Sequence, residues 1–166
     1  TGLDYARGFS LTDHHGTPRT LADFKGKVVV VFFGYTHCPD VCPTTLSELA
    51  GIMKSLGPES ERLQVLFITL DPERDTPDLL AGFVPAFDPS FLGLWGDQAT
   101  IDKVAKDFKI FAQKVLAKDG KSYTIDHTAG SYVFDDQGQI RLFVRHGQSS
   151  DGLLKDLKRL LTNSAT

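Results

Sequence analysis

Two segments of the chain are apolar at almost every position. Val28 to Tyr35, VVVVFFGY, and Leu63 to Leu70, LQVLFITL, are rich in β-branched and aromatic side chains and lack a polar face. Such runs predict strands buried on both faces of a parallel sheet. Between them, Leu46, Leu49, Ile52, Met53 and Leu56 recur at helical spacing, and Gly57-Pro58 supplies a stop. The three segments together predict a β-α-β unit.

Beyond the second run the pattern changes. DPERDTPDLLAGFVPAF reads as a loop, then a short helix capped by Thr76, opened by Pro77 and ended near Pro85. FLGLWGD predicts a further short strand. In TIDKVAKDFKI the apolar positions 101, 104, 105 and 108 predict an amphipathic helix. FAQKVLAKDGKSYTIDH places Asp119-Gly120 between two extended stretches, a hairpin signal, and SYVFDDQGQIRLFVRHG repeats that logic around Gln137-Gly138. The last helix, SDGLLKDLKRLLTN, gathers Leu153, Leu154, Leu157, Leu160 and Leu161 on one face. At the front, FSLTDHHGTPRTLADFKGK predicts a small hairpin. This order gives an α/β, thioredoxin-like layout: a central mixed sheet flanked by helices, with an N-terminal β-hairpin and an inserted hairpin before a histidine loop. Ligands and catalysts in such sheets sit at the carboxyl ends of strands.

With 166 residues, no internal repeat and no long linker, the chain is expected to form one domain over positions 1–166. Its 18 basic and 21 acidic residues are mixed, for a net charge of -3, which argues against a nucleic-acid partner and against a polybasic membrane patch. No apolar run reaches the roughly 18 residues of a membrane-spanning helix. The chain begins with threonine, so a leader or anchor preceding it is expected.

Both cysteines, Cys38 and Cys42, lie in GYTHCPDVCP. A bridge closing so short a loop removes little entropy from the unfolded chain, so a structural staple is a weak reading. On a helix the two would lie about 40° apart on one face. Each precedes a proline, which disfavours helical backbone, so both are expected on a tight turn with the regular helix starting at about Pro43. Thiols beside a helix N-terminus are favoured as thiolates, the form that binds metal or attacks a disulfide. Two inert buried thiols are the plain alternative. Soft thiolates select Cu(I), zinc or iron-sulfur clusters, and two cysteines do not complete a usual zinc or cluster site.

Further ligands would come from five histidines, His14, His15, His37, His127 and His146. His37 neighbours Cys38, but adjacent extended residues point to opposite sides. His14 and His15 read as exposed turn residues, and His146 as a surface residue at a strand end. His127, in IDHTAGSYVFD, precedes a core strand that a thioredoxin-like layout brings beside the cysteine-bearing helix. Spacing alone leaves it open between a structural histidine and a ligand. Asp71, Glu73, Arg74 and Asp75 of DPERDTP read as a capped and salt-linked loop, or as a docking surface. Trp95 reads as core.

VVFFGYTHCPDVCPTTLSEL, DPERDTPDLL and DHTAG occur in the order found in the SCO/SenC copper-binding proteins, which the chain resembles over nearly its whole length. GYTHCPDVCPTTL and DPERDTP look more like bacterial than mitochondrial members. The resemblance implies an extracytoplasmic copper metallochaperone, periplasmic or on the outer face of the inner membrane, tethered by an N-terminal segment. Carried over residue by residue, Cys38, Cys42 and His127 would bind Cu(I) and Cu(II) for delivery to the CuA site of cytochrome c oxidase. The CuA-bearing subunit would then be the partner, with another periplasmic copper chaperone as a further one. The protein would bind and transfer metal without turnover chemistry of its own. The alternative is a thiol-disulfide oxidoreductase in which Cys38 and Cys42 cycle to reduce the oxidase cysteines. Thioredoxin-type reductases place a cis-proline before the strand facing their cysteines, and DHTAGSYV has none, which favours the metal ligand. A peroxidase relative would carry a proline and a threonine ahead of its cysteine, and only Thr36 is present.

Overall fold

The computed structural model of the protein describes residues 8–36, 41–120, 123–127, 130–145 and 150–164, with backbone alone at 41–44, 124, 126–127, 145, 150–151 and 163–164. The two apolar runs become β3 (Val28–Gly34) and β4 (Leu63–Thr69), and all 7 residues of each are buried. They pair in parallel from Val28 opposite Leu63 to Gly34 opposite Thr69. Only a strand covered on both faces can be apolar throughout, and the covering layers supply the rest of the chain.

Helix α1 (Val41–Leu56) makes the crossover between β3 and β4. Its stripe of Leu46, Leu49, Ile52, Met53 and Leu56 is buried to the last residue, each such side chain contributing about 1.5–3 kcal/mol against exposure. Gly57, at φ 61°, breaks the helix in a conformation that costs glycine little, and a short 3-10 segment leads into β4. Helix α2 (Pro77–Phe83) opens as expected, with the Thr76 hydroxyl accepting from the Leu79 amide. Strand β5 (Leu92–Trp95) follows, then α3 (Gln98–Asp107), whose cap is Asp97.

β1 (Ser10–Asp13) and β2 (Pro18–Thr20) form the N-terminal hairpin, and β6 (Ala112–Leu116) and β7 (Tyr123–His127) the inserted one. β8 (Gly130–Phe134), β9 (Ile140–Arg145) and α4 (Ser150–Ser164) close the described chain. The main sheet has 7 strands in the order β2-β1-β5-β4-β3-β8-β9, while β6 and β7 pair only with each other. The β3-β4-β5 core is parallel and its flanks are antiparallel, the mixed thioredoxin-like sheet that the sequence pattern predicts. Buried Leu157 and Leu161 anchor α4, with Leu153, Leu154 and Leu160 half-buried beside them. No helix among the described residues is long and apolar enough to cross a membrane.

Two expectations need correction. α1 begins at Val41, not Pro43, so Cys42 lies inside its first turn. Pro43 is tolerated there because first-turn amides have no intrahelical partner to lose, and helix formation outweighs the local bias against the residue before it. His14 is buried, not exposed, and its Nδ1 accepts the Gly93 amide at 3.0 Å. β1 pairs with β5 through Asp13 opposite Leu94, so the turn after β1 lies alongside Gly93. Burial first, and then neighbouring His15, hold the His14 imidazole below its ordinary pKa, which suits a neutral acceptor.

Candidate metal centre

The carboxyl end of β3 leads through Tyr35 and Thr36 toward the cysteines. Cys38 and His37 lie outside the described residues, as does His146. The backbone of Cys42 is the second residue of α1. His127 is the last residue of β7, opposite Ala112, so it ends a strand and does not sit in a loop. Among the described residues no group of three or more His, Cys, Asp or Glu is arranged to hold a metal ion.

The two chain regions are nonetheless tied together just short of these residues. Tyr35 is buried at the end of β3, and its hydroxyl accepts the Ile125 amide of β7 at 3.0 Å. The bond joins a point three positions before Cys38 to a point two positions before His127. On the far side of His127, β8 starts at Gly130, where a Cβ would lie 2.5 Å from the Phe143 ring and 3.0 Å from the Val144 carbonyl oxygen. A side chain there would push β8 from β9, so glycine keeps the return into the sheet close.

DPERDTP has more internal order than a salt-linked surface loop. Asp71 and Asp75 are 1% and 0% exposed, which for carboxylates demands partners. Asp75 Oδ2 accepts the Thr36 amide at 2.9 Å and the Thr69 hydroxyl at 2.8 Å, and its Oδ1 accepts the Thr36 hydroxyl. Asp71 accepts the Tyr123 hydroxyl at 2.7 Å and a short charge-assisted bond from Arg74 Nε. Arg74 also donates from Nη1 to the Tyr123 carbonyl at 3.2 Å. Its guanidinium lies 3.7 Å from the centre of the Tyr123 ring and 5.9 Å from that of Tyr35. The expectation of a capped and salt-linked loop describes the local bonds, but the long-range ones to Thr36 and Tyr123 were not legible. Trp95 is half-buried against the core and donates its indole N–H to the Pro72 carbonyl at 3.1 Å. A groove of about 280 Å³ lies beside the loop, lined among the described residues by Leu70, Glu73, Ile101, Lys114 and Ile125 with others.

Tyr123 carries the electrostatic mark of this arrangement. Burial first, then its bond to the Asp71 carboxylate and that carboxylate's charge, push the phenol up to about 12 from its ordinary 10.0. The folded chain therefore favours the neutral phenol, and that stabilisation is complete below pH 10.0 and lost as pH climbs toward 12. A tyrosinate absorbance titration is expected to show a late step that disappears in Tyr123→Phe. A wild-type titration with no late step contradicts it.

The profile described as SCO1/SenC matches residues 2–162. The mitochondrial SCO2 homologue of Mus musculus is 33% identical over 153 residues, covering 91% of this chain and 60% of the relative. The chain spans about half to three fifths of the length of the curated relatives it matches. Among solved structures, Bradyrhizobium japonicum ScoI with copper bound superposes with a TM-score of 0.84 at 42% identity, covering 92% of this chain and 97% of the other. The apo Sco1 protein of Thermus thermophilus gives 0.83 at 40%, covering 92% and 90%.

Proposed function

The chain belongs to the SCO1/SenC family, and from that premise we propose that it is a copper metallochaperone whose ligands are Cys38, Cys42 and His127. In this reading positions 1–166 form one thioredoxin-like domain outside the cytoplasm, held at a membrane by a segment preceding it. The domain takes Cu(I) or Cu(II) and delivers it to the CuA site of cytochrome c oxidase.

The observation that carries the reading is the Tyr35–Ile125 hydrogen bond. It fastens the turn leading into the cysteines to the strand that ends in His127, two regions 90 residues apart in sequence. The relative from B. japonicum holds copper on the same fold at 42% identity. The donor chemistry also fits. Two thiolates and a neutral imidazole make a soft, low-coordinate set suited to Cu(I), and the imidazole adds the nitrogen donor that Cu(II) requires. As cargo, the ion would leave by ligand exchange, with an acceptor's thiolates replacing the three ligands in turn.

The rival reading, a thiol-disulfide oxidoreductase, uses the same two cysteines but has no need of the histidine. His127→Ala is therefore expected to weaken copper binding by about 100-fold or more, since loss of a ligand exceeds the 10–100-fold effect of outer partners. Thiol-disulfide exchange with a small disulfide should stay within a few-fold of wild type. Anaerobic copper titration against a competing chelator, run beside an exchange assay, separates the two. Undiminished copper affinity in His127→Ala would remove the histidine from the ligand set.

A further inference from the structure

DPERDTP contains two buried carboxylates that the ligand set does not use, and their partners lie on the two arms of the proposed site. Asp75 holds the cysteine arm through both the amide and the hydroxyl of Thr36. Asp71 holds the histidine arm through the Tyr123 hydroxyl, and Arg74 reinforces it through the Tyr123 carbonyl and ring. Within the loop the two grips are joined, because the Asp75 amide donates to the Asp71 carbonyl at 2.8 Å. The Thr69 hydroxyl adds a second joint by donating to Asp75 and accepting the Asp71 amide at 2.9 Å. A bond from Trp95 to Pro72 fixes the outer side of the loop to β5.

We propose that Asp75 is a positioning residue for copper: through Thr36 and the 71–75 loop it fixes the separation between the thiolates and the imidazole before the metal arrives. The inference rests on the ligand set proposed above and concerns which oxidation state of copper the site retains. Cu(I) takes its strongest bonds from the two thiolates, which stand only four positions apart in sequence, and asks of the imidazole a third bond with little demand on its geometry. Cu(II) demands additional nitrogen or oxygen donors in a defined arrangement. Only the oxidised ion therefore depends strongly on the distance from the cysteine arm to His127, and that distance is what the loop sets. A buried carboxylate taking at least three hydrogen bonds suits the task, since such a group tolerates little displacement.

The test compares Cu(I) and Cu(II) binding, each by chelator competition, for wild type, Asp75→Asn, Thr36→Val and Thr36→Ser. Asp75→Asn is expected to lower Cu(II) affinity by about 10–100-fold, the range for partners that orient a ligand. Its Cu(I) affinity should stay within about threefold, because the thiolates that select Cu(I) are untouched. The copper(II) electron paramagnetic resonance spectrum and the thiolate-to-copper absorption should change with it. Thr36→Val, which keeps the Thr36 amide bond and loses the hydroxyl, bypasses any folding defect of the buried asparagine. It should shift in the same direction, and Thr36→Ser should restore wild-type values. An unchanged ratio of Cu(II) to Cu(I) affinity in both Asp75→Asn and Thr36→Val overturns the proposal, as does an equal loss of both ions. Failure of the wild-type protein to bind copper overturns the ligand set instead, so the two failures are distinct.

Discussion

Serine in place of Cys38 or of Cys42 is expected to abolish tight Cu(I) binding. A serine hydroxyl is hard and un-ionised at neutral pH, whereas Cu(I) is held by soft thiolates. A single remaining thiolate with one imidazole leaves a weaker site. The loss of affinity should exceed the roughly 100-fold that outer partners of a ligand account for. Anaerobic titration of the reduced protein is the measurement: one copper per chain for wild type, and no stoichiometric endpoint for either variant. Thermal unfolding of the metal-free chains should hardly change, since a bridge over so short a loop contributes little. A full equivalent of copper retained by either variant would exclude that cysteine as a ligand.

The second large effect is on stability. Phe108 ends α3 fully buried, with its ring centre 5.1 Å from that of Phe33, 5.3 Å from Tyr132 and 6.0 Å from Phe134. Its carbonyl oxygen accepts the Tyr132 hydroxyl at 2.8 Å. Edge-to-face packing of this kind adds to the burial of the ring itself. Phe108→Ala should therefore destabilise the protein by about 3–5 kcal/mol, the usual cost of a phenylalanine-sized cavity. Denaturant unfolding of the metal-free chain measures it directly. Conservative Phe108→Leu should recover most of the loss, and a cost below about 1 kcal/mol for alanine would mean that the cluster collapses around the gap.

Much of the architecture is legible from local pattern. Unbroken apolarity identifies β3 and β4 because a parallel sheet is covered on both faces, and Asp119-Gly120 marks the β6–β7 hairpin because its turn requires such residues. The helical stripe from Leu46 to Leu56 gives α1, while its first turn is misjudged because the bias before Pro43 is a local preference that the helix overrides. The expectation for His14 fails for a different reason. Its burial depends on β1 lying next to β5, where Thr12 pairs with Trp95 across 83 positions of sequence, and no periodicity records such a neighbour. Of the candidate site, the residue types and their order are readable, but the bonds that hold it are not. Asp75 reaches back 39 residues to Thr36, and Asp71 forward 52 to Tyr123. In sequence these carboxylates look like any charged loop.

Those separations also bear on the order in which the chain acquires its parts. Contacts between distant residues form only after the entropy of closing the intervening loops has been overcome. The Cys-x-x-x-Cys pair is complete as soon as it is synthesised, whereas the Tyr35–Ile125 bond must close 90 residues. An unfolded or nascent chain thus offers copper the two thiols without His127 held beside them. In the proposed site the third ligand would come into place only with the finished sheet, so capture of copper by all three residues would report that folding is complete.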